Sequence, residues 1–283
     1  MNLVFKDIIT INNDYLNYLR SADKRVMINH DTKKERPNVS VLVDDDGQLW
    51  AIPMSHKEFI TKNGKKEGDS FFNIYFDSVK NHCGGHLKFN NMIPVIEGTF
   101  VSAFEKYSKN NSYVKLLNKQ KEVIKNSFNS KIKPIFYKAL ALGKEALAFD
   151  YNDDKVSSGC KRYLQTFLNF ELLIKKAKEW SIVHEAYDKL NGYTELIDPN
   201  IENYEVFNRD FESIHNKYED VFKYSNLLQG ANERLGNYQK YVLFIKEEIK
   251  VQKAKKIDPP VIKSFREFEN IVAKKNKPKG LKL

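Results

Sequence analysis

The sequence predicts an α+β fold, in which an antiparallel sheet forms early in the chain and helices follow it. Before about residue 105, short apolar runs alternate with turn-forming residues, which is typical of strands joined by tight turns. After that point, apolar residues recur every three or four positions, as they do in amphipathic helices. The composition, with 41% hydrophobic and 30% charged residues among 283, indicates a soluble globular chain and excludes a disordered one.

Most of the strands are predicted in the first hundred residues. Apolar runs predict strands over residues 3–11, 37–43, 48–52, 71–76 and 92–100. Residues 14–21 predict a helix inserted after the first strand, and residues 44–47 (Asp-Asp-Asp-Gly) predict a hairpin turn. Pro53 is expected to end the third strand, because proline lacks the N–H group that a strand ladder needs.

Helices are predicted in order along the rest of the chain. The first is expected to begin with Ser112 as its N-cap and to run to about Phe128. A second is expected from about Pro134 to Gly143, and a third over residues 163–180, before a turn at residues 191–192. From about residue 181 to 283 the sequence predicts helices almost throughout, ending in a basic tail.

The net charge of +10 is distributed unevenly along the chain. Lysine and arginine exceed aspartate and glutamate by 8 over residues 1–180, fall short by 6 over residues 181–249, and exceed them by 8 over residues 250–283. A basic N-terminal part suggests a polyanionic partner, and nucleic acid is the commonest one. The alternative is a lysine-rich proteome encoded by AT-rich DNA, which would produce the same surplus without a partner.

Cellular location and metal binding can also be addressed from the sequence. No run of about 18 apolar residues and no signal-peptide pattern is present, and two cysteines suit a reducing compartment, so a cytoplasmic protein without membrane contact is expected. His82, Cys83 and His86 offer three zinc ligands, but a tetrahedral site needs a fourth. A glycine-rich loop leading into a strand at Leu87 is favoured, and no metal or cofactor is expected.

Ser55 and Lys57 form the most informative pair of residues. They lie two apart, where the third predicted strand changes into a loop. A hydroxyl and a cation presented together at a strand end can bind a phosphate. The spacing alone favours ordinary solvated loop residues, so further residues are needed to support a phosphate site.

Several segments, in the same order, resemble the ToxN/AbiQ family of type III toxin–antitoxin endoribonucleases. The resemblance is carried by residues 14–19 (DYLNYL), 22–26 (ADKRV), 36–37 (RP), 52–57 (IPMSHK) and 87–96 (LKFNNMIPVI). Residues 113–120 resemble the first long helix of that family and residues 170–177 its final one. The resemblance therefore predicts an endoribonuclease domain over residues 1–180, with residues 181–283 as a helical extension outside it.

The resemblance implies a fold, an activity and partners. Such toxins have a strongly twisted, barrel-like antiparallel sheet with helices packed around it. They cut RNA without a metal, leaving 2′,3′-cyclic phosphate ends. A small repetitive antitoxin RNA, folded as a pseudoknot and cut by the toxin from a longer transcript, inhibits them in a ring-like protein–RNA assembly. Cellular or phage RNA is the other expected substrate, and many of these systems defend bacteria by abortive infection.

The resemblance also assigns roles to individual residues. The catalytic serine of the family falls on Ser55 and its lysine on Lys57, and Arg36 takes the basic position before a strand. Tyr15 falls on an N-terminal aromatic residue that stacks on a base or positions the sugar. His56 stands where relatives often have proline, so it is a candidate acid or base whose side chain could equally point away.

Substrate RNA is expected to lie on basic residues around this site. One cluster contains Lys24, Arg25, Lys33, Lys34 and Arg36, and the long helix adds Lys115, Lys119 and Lys121. Some of these side chains would solvate the surface in any protein. Two other functions fit the sequence: a non-catalytic RNA-binding protein in which Ser55 and Lys57 only hold phosphate, and a helical protein-interaction module with an incidental basic body.

Overall fold

The computed structural model describes most of the N-terminal two thirds of the chain and parts of the remainder. The described residues are 2–29, 35–43, 47–61, 64, 68–77, 82–150, 152–153, 157–195, 209–210, 212–225, 228, 236, 237, 240, 243 and 247. Contacts divide the chain into two compact units, residues 1–178 and 179–283, and each is described by itself. Within the described part, none of the helices combines the length and apolarity that a membrane crossing requires.

The first unit is built on an antiparallel sheet of seven strands. They are β1 (Leu3–Ile11), β2 (Pro37–Val43), β3 (Leu49–Ser55), β4 (Phe71–Tyr75), β5 (Cys83–Lys88), β6 (Ile93–Val95) and β7 (Phe100–Ser102). Their order is β4-β5-β3-β2-β1-β7, and β6 pairs with β3 beside β5. Among the described residues, the outer strands β4 and β7 do not pair, so the sheet is open. The predicted α+β class with an antiparallel sheet is confirmed.

One α-helix lies between β1 and β2 in the chain, and the others follow β7. They are α1 (Asn13–Ala22), α2 (Ala103–Lys106), α3 (Asn111–Ser127), α4 (Lys133–Ala148), α5 (Ser158–Leu164), α6 (Phe170–Glu195) and α7 (Glu219–Tyr224). A single π-helical turn, Phe128–Ile132, joins α3 to α4. Residues 212–217, in the second unit, are also helical.

Aromatic packing ties the sheet to the helices of the first unit. Trp50 of β3 is buried and meets the Phe136 ring at 6.3 Å and the Phe170 ring at 5.5 Å, both edge to face. Each such pair contributes about 0.5–1.5 kcal/mol beyond the apolar area it buries. The middle of β3 is therefore anchored by α4 and the start of α6, which fixes the strand that ends at Ser55.

The third strand extends past the point where it was predicted to end. β3 runs to Ser55, and Pro53 lies within it, opposite Asn38 at the end of the β2 pairing. On the other edge, β6 pairs with β3 only up to Ala51 and β5 pairs with it from Met54 onwards. Pro53 is tolerated because it falls in the gap between these two partners, where a missing N–H interrupts neither ladder.

The strand predicted over residues 92–100 is wrong as a single element. It consists of β6, a turn and β7, and Gly98 in the turn has a φ of +80°. The Thr99 hydroxyl donates to the carbonyl of Ile96 at 2.7 Å and closes the turn. Apolar residues on both sides of residues 97–99 (Glu-Gly-Thr) suggested one strand, but this hydrogen-bonded turn divides it.

Two helix boundaries also differ from the prediction. Asn110, and not Ser112, caps α3, because its side-chain oxygen accepts from the N–H of Tyr113 at 3.1 Å. The predicted helix over residues 163–180 is broken between α5 and α6. In the break, the N–H of Leu168 donates to the carbonyl of Asn90 at 3.1 Å and the N–H of Asn169 donates to Asp23 at 3.0 Å. These long-range bonds replace the helical ones.

The turn predicted at residues 191–192 is wrong, because α6 continues to Glu195. Glycine inside a helix costs only about 1 kcal/mol relative to alanine. A helix of 26 residues can tolerate that cost when its other residues favour the helical state.

Asp23 joins two distant segments of the first unit, residues 23–25 and Asn169, and gives a testable prediction. Its carboxylate accepts from Arg25 Nη2 at 2.7 Å and from the N–H of Asn169. Burial acts to raise the pKa of Asp23, but these hydrogen bonds and the Arg25 charge together hold it below its usual value. The stabilisation is therefore present above the unfolded-state pKa of about 3.9 and is lost as the pH falls through the folded-state pKa.

We expect Asp23→Asn to lower the free energy of unfolding by about 1–3 kcal/mol at pH 7, measured by urea titration. The difference from wild type should shrink as the pH is taken below about 3.9, because wild-type Asp23 then loses its charge as well. Glu171→Gln, which alters an exposed carboxylate in the first turn of α6, should change stability by less than about 0.5 kcal/mol. A difference that does not vary with pH would contradict the ionic contribution.

Candidate active site at the end of β3

The site begins with a row of side chains that crosses four neighbouring chain segments. Ser55 at the end of β3 lies opposite His86 of β5, and His86 lies opposite Asn73 of β4. On the other side of β3, Asn38 of β2 lies opposite Pro53. Because the strands are antiparallel, the residue two before Asn38, Arg36, lies beside the residue two after Pro53, Ser55. Directly opposite residues on antiparallel strands project from the same face. The row therefore brings Arg36, Ser55, His86 and Asn73 together.

Gly85 allows β5 to approach Ser55 closely. It has a φ of +122°, a conformation that glycine adopts and other residues rarely do. A Cβ atom placed on Gly85 would lie 2.0 Å from the carbonyl oxygen of Ser55. The backbone that carries Ser55 is therefore packed directly against a position where no side chain fits.

His86 holds the backbone of Lys57. The side chain of His86 is buried, and its Nδ1 lies 2.6 Å from the carbonyl oxygen of Lys57. Because a carbonyl only accepts, Nδ1 carries the proton, and the lone pair of the neutral ring is on Nε2. Nε2 is buried and has no hydrogen-bond partner among the described residues. Burial lowers the pKa of His86, and the charges of Lys88, Arg36 and His56 lower it further. The hydrogen bond to Lys57 acts in the opposite direction but does not cancel these effects, so the ring is neutral at pH 7.

The segment after Ser55 is fixed at further points. Asn73 accepts from the N–H of Phe59 and donates to its carbonyl, both at 2.9 Å. The Tyr75 hydroxyl donates to Glu58 at 2.6 Å; burial and the Glu58 carboxylate raise the pKa of Tyr75 to about 12. The Phe59 ring packs 5.3 Å from that of His86. The backbone at Lys57 is thus held in place, while its ammonium side chain is exposed.

A cavity of about 630 Å³ opens beside this row. The end of β3 and the approach to β2 form one wall, and the α2–α3 region forms the other. Its lining residues are Glu35, Arg36, Pro37, Met54, Ser55, His56, Tyr107, Asn110, Tyr113, Leu116 and Gln120. The structure thereby brings together three of the predicted site residues, Arg36, Ser55 and His56.

The lining of the cavity includes a cation, Arg36, and a carboxylate, Glu35. Arg36 is held by its N–H, which donates to Asn29 at 2.8 Å, and by its carbonyl, which accepts from Asn38 at 2.8 Å. Burial lowers the pKa of Arg36. The pKa of Lys88 is also lowered, first by burial and then by the nearby charge of Arg36. The carboxylate of Glu35 is paired with Lys106 at 2.9 Å. This arrangement favours an anion beside Ser55, since a guanidinium stays protonated in proteins.

Tyr15, which was predicted to stack on a base or to position the sugar, lies in the core. Its ring is fully buried, and its hydroxyl donates to the carbonyl of Pro94 at 2.9 Å. Burial raises the pKa of the Tyr15 hydroxyl far above its usual value. No face of the ring is exposed to RNA, so Tyr15 holds α1 against β6 and is a core residue.

Some of the predicted RNA-binding residues are engaged in contacts within the fold, and others are exposed to solvent. Arg25 is engaged within the fold: it pairs with Asp23 and donates to the carbonyl of Gln165 at 2.6 Å. Lys121 is likewise paired, with Asp7 at 2.6 Å. Lys24 is exposed, as are Lys115 and Lys119 on α3, which carries one wall of the cavity. Lys33 and Lys34 lie outside the described residues.

Several residues of the site were missed by the sequence analysis. His86 was considered only as a zinc ligand in a glycine-rich loop, whereas Cys83–Lys88 is a strand. No group of three metal-ligating side chains occurs among the described residues. Tyr107, Tyr113 and Gln120 were treated only as helix residues. The spacing of Tyr113, Leu116 and Gln120 by three and four residues places them on one helix face, which was the signal available.

An antiparallel sheet with a serine and basic side chains at one strand end defines an α+β protein with a candidate site at that end. Comparison with known proteins is more specific. The sequence model of the family described as "Toxin ToxN, type III toxin-antitoxin system" matches residues 7–175, and the chain belongs to this family.

Individual relatives share between 22% and 29% of their residues with this chain over the matched regions. The Endoribonuclease ToxN of Bacillus thuringiensis subsp. kurstaki is 29% identical over 140 residues, which make up 48% of this chain and 69% of that protein. A solved structure of a bacterial type III toxin, described as selectively inhibited by a non-coding RNA pseudoknot, is 25% identical, with a TM-score of 0.47 over 64% of this chain and 99% of the other. AbiQ, a lactococcal anti-phage endoribonuclease, is 22% identical, with a TM-score of 0.46 over 64% and 99%.

Proposed function

We propose that this chain is the toxin of a type III toxin–antitoxin system, an endoribonuclease that cleaves RNA at the end of β3. Membership of the ToxN family supports the activity. The single structural observation that carries the proposal is the convergence of Ser55, Arg36 and His56 on one cavity. RNA cleavage needs an oriented phosphate, compensation of its negative charge and a route for a proton, and these three side chains provide the corresponding groups.

The reaction proposed is an intramolecular transfer within the RNA. The 2′-hydroxyl attacks the adjacent phosphorus, a new P–O2′ bond forms, and the P–O5′ bond breaks. The products are a 2′,3′-cyclic phosphate and a 5′-hydroxyl, whose oxygen takes up a proton. Ser55 hydrogen-bonds a phosphate oxygen or the 2′-hydroxyl, and Arg36 and Lys57 compensate the charge that grows on the phosphate. His56, exposed at the cavity, exchanges protons with solvent and substrate.

The partners follow from the family. A type III toxin is paired with an antitoxin RNA, and we propose that a small repetitive RNA folded as a pseudoknot occupies this site and is cut by it in a ring-like assembly. Cellular or phage RNA is then the target of the free toxin in the cytoplasm. The observation that checks this is genomic: tandem short repeats followed by a terminator should lie just upstream of the gene.

We also propose the finer features of the fold. A strongly twisted, barrel-like sheet is supported by two register shifts, between Phe5 and Asp7 in β1 and between Asn73 and Tyr75 in β4, because bulges increase twist. Residues 1–180 are proposed as the endoribonuclease domain and residues 181–283 as a helical extension. The helices described at residues 212–217 and at α7 support the extension.

The test of the activity is an incubation of purified protein with single-stranded RNA in EDTA. We expect fragments that end in 2′,3′-cyclic phosphate and begin with 5′-hydroxyl, identified by mass spectrometry. Binding without any cutting would support a non-catalytic RNA-binding protein. Cutting that stops in EDTA and returns when Mg²⁺ is added would contradict the proposed metal-independent chemistry.

Lys115 and Lys119 give a prediction for RNA binding. They are four residues apart on α3 and exposed, so both face the same direction from the helix. Replacing both with Gln should weaken RNA binding and reduce the slope of log affinity against log salt by about 1.4, at about 0.7 per lost phosphate contact on a single strand. Fluorescence anisotropy at several salt concentrations measures the slope.

The control for this experiment changes two exposed lysines that do not line the cavity, Lys131 and Lys144, to Gln. It removes the same total charge and should leave the slope nearly unchanged. Equal effects of the two double variants would mean that net charge, and not a track along α3, governs RNA binding.

A further inference from the structure

The cavity beside Ser55 is lined by two chemically different groups of residues. Arg36, Ser55 and His56 form a polar group, here called the polar end, and Tyr107, Tyr113 and Leu116 form an aromatic and apolar group, here called the aromatic end. A volume of about 630 Å³ lies within the range of about 300–1,000 Å³ that is usual for small-molecule sites. The proposed chemistry uses only the polar end, so the aromatic end has no assigned role.

The two tyrosines are held in a fixed arrangement. The Tyr107 hydroxyl donates to the carbonyl of Glu35 at 2.5 Å, next to Arg36 in the chain. Tyr107 and Tyr113 meet edge to face, with ring centroids 4.8 Å apart and planes at 78°. Burial, with smaller effects of Tyr113 and Glu35, raises the pKa of Tyr107 to about 12, so the hydroxyl remains a donor at neutral pH. The Tyr113 ring is therefore positioned before any ligand arrives, which reduces the entropy lost on stacking.

The wall that carries Tyr113 is also fixed relative to Ser55. Gln120, on the same face of α3, is buried and donates from Nε2 to the carbonyl of Gly84 at 2.6 Å. Gly84 is followed in β5 by Gly85 and His86. Gly85 touches the Ser55 backbone, and His86 lies opposite Ser55. This single bond links the aromatic wall to the strand that positions the serine, so the distance between the two ends is set by the fold.

We propose that the aromatic end is a nucleobase subsite, in which Tyr113 stacks on the base of a nucleotide whose phosphate lies at Ser55 and Arg36. A nucleotide carries an anion at one end and a flat π-system at the other, and the cavity is lined by groups complementary to both. Aromatic side chains are common stacking surfaces for unpaired bases in single-stranded RNA. The inference rests on the proposed function for its role in cleavage, although the binding itself needs no cleavage.

The experiment uses full-length wild-type protein and the four nucleoside 3′-monophosphates, which contain no bond for the enzyme to cleave. Calorimetry measures their binding and that of inorganic phosphate to wild type, Tyr113→Leu and Tyr113→Phe. We expect nucleotides to bind at least about fivefold more tightly than phosphate, and Tyr113→Leu to remove most of that advantage. Tyr113→Phe keeps the ring and should bind within about twofold of wild type. Phosphate binding should be the same in all three proteins.

A second variant covers the case in which Tyr113→Leu does not fold. Leu116→Trp fills the aromatic end from the neighbouring position on α3 and should exclude nucleotides while still binding phosphate. Nucleotides that bind no better than phosphate, or that bind Tyr113→Leu or Leu116→Trp as well as wild type, would overturn the subsite.

The subsite and the proposed function fail in different ways. Tight, Tyr113-dependent nucleotide binding by a protein that cuts no RNA would uphold the subsite and contradict the endoribonuclease. RNA cleavage with unchanged cleavage positions and unchanged nucleotide affinity in Tyr113→Leu would uphold the endoribonuclease and contradict the subsite. If both hold, Tyr113→Leu should also broaden the set of bases found next to the cleaved bonds, as read by sequencing of the fragments.

Discussion

Ser55→Ala is expected to lower the single-turnover rate of RNA cleavage by at least about a hundredfold while RNA affinity stays within about threefold. The hydroxyl is the group at the end of β3 that can both donate to a phosphate oxygen and accept from a 2′-hydroxyl. Removing one well-positioned donor to a transition-state oxygen typically costs about 10²–10³ in rate. Ground-state binding depends on several cations, and these remain in the variant.

The comparison needs both measurements on the same protein. Cleavage rates with enzyme in excess report the chemical step, and anisotropy of a labelled RNA reports affinity. Ser112→Ala is the matched control, because Ser112 is an exposed serine in the first turn of α3 that does not line the cavity. It should cleave at the wild-type rate. A Ser55→Ala protein that cuts RNA at more than about a tenth of that rate would remove Ser55 from the proposed chemistry.

Lys57 shows why a short motif needs its surroundings to be interpreted. The spacing of Ser55 and Lys57 alone favoured a solvated loop. In the structure, the carbonyl of Lys57 accepts from a buried histidine 29 residues away, and Asn73 fixes the backbone at Phe59. Solvated loop residues are not usually held in this way. The fixed backbone supports a defined position for Lys57 in the site.

Elements that depend on neighbouring residues could be predicted from the sequence, whereas an element that depends on distant contacts could not. β1 and β2 were predicted with their observed bounds, because each is a run of mostly apolar residues, which is a local signal. The break between α5 and α6 was missed, since it depends on Asp23 and Asn90, far away in the sequence. Periodicity inside residues 163–180 contains no information about these partners.

The candidate site also depends on distant contacts. Ser55 and Arg36 were found because a family resemblance marks them, and His56 because it stands where relatives often have proline; the structure places all three at one cavity. Tyr15 was marked by the same resemblance, but its ring lies in the core. The α3 wall was missed because the contact between a helix face and a strand end depends on tertiary packing. The spacing of Tyr113, Leu116 and Gln120 showed only that they share a helix face, and not that this face meets the end of β3.

Gly85→Ala is expected to be the most destabilising single-methyl change near the site. The φ of +122° is unfavourable for alanine, and the added Cβ would lie 2.0 Å from the carbonyl oxygen of Ser55. Backbone must therefore move on β5 or β3. We expect a loss of about 2–4 kcal/mol in the free energy of unfolding, measured by urea titration. Cleavage should also fall at least about tenfold at temperatures where the variant is fully folded, because Ser55 is displaced from its phosphate.

The control separates the strain of a positive φ from the clash with Ser55. Gly98, between β6 and β7, has a φ of +80°, but a Cβ added to it would meet no atom within 4 Å, so Gly98→Ala introduces only the strain. It should lose about 1 kcal/mol and cleave RNA normally when folded. If Gly85→Ala matched Gly98→Ala in both stability and cleavage, the contact between β5 and Ser55 would have no role in positioning the serine. A larger loss in both measurements would tie the geometry of β5 to the chemistry at the end of β3.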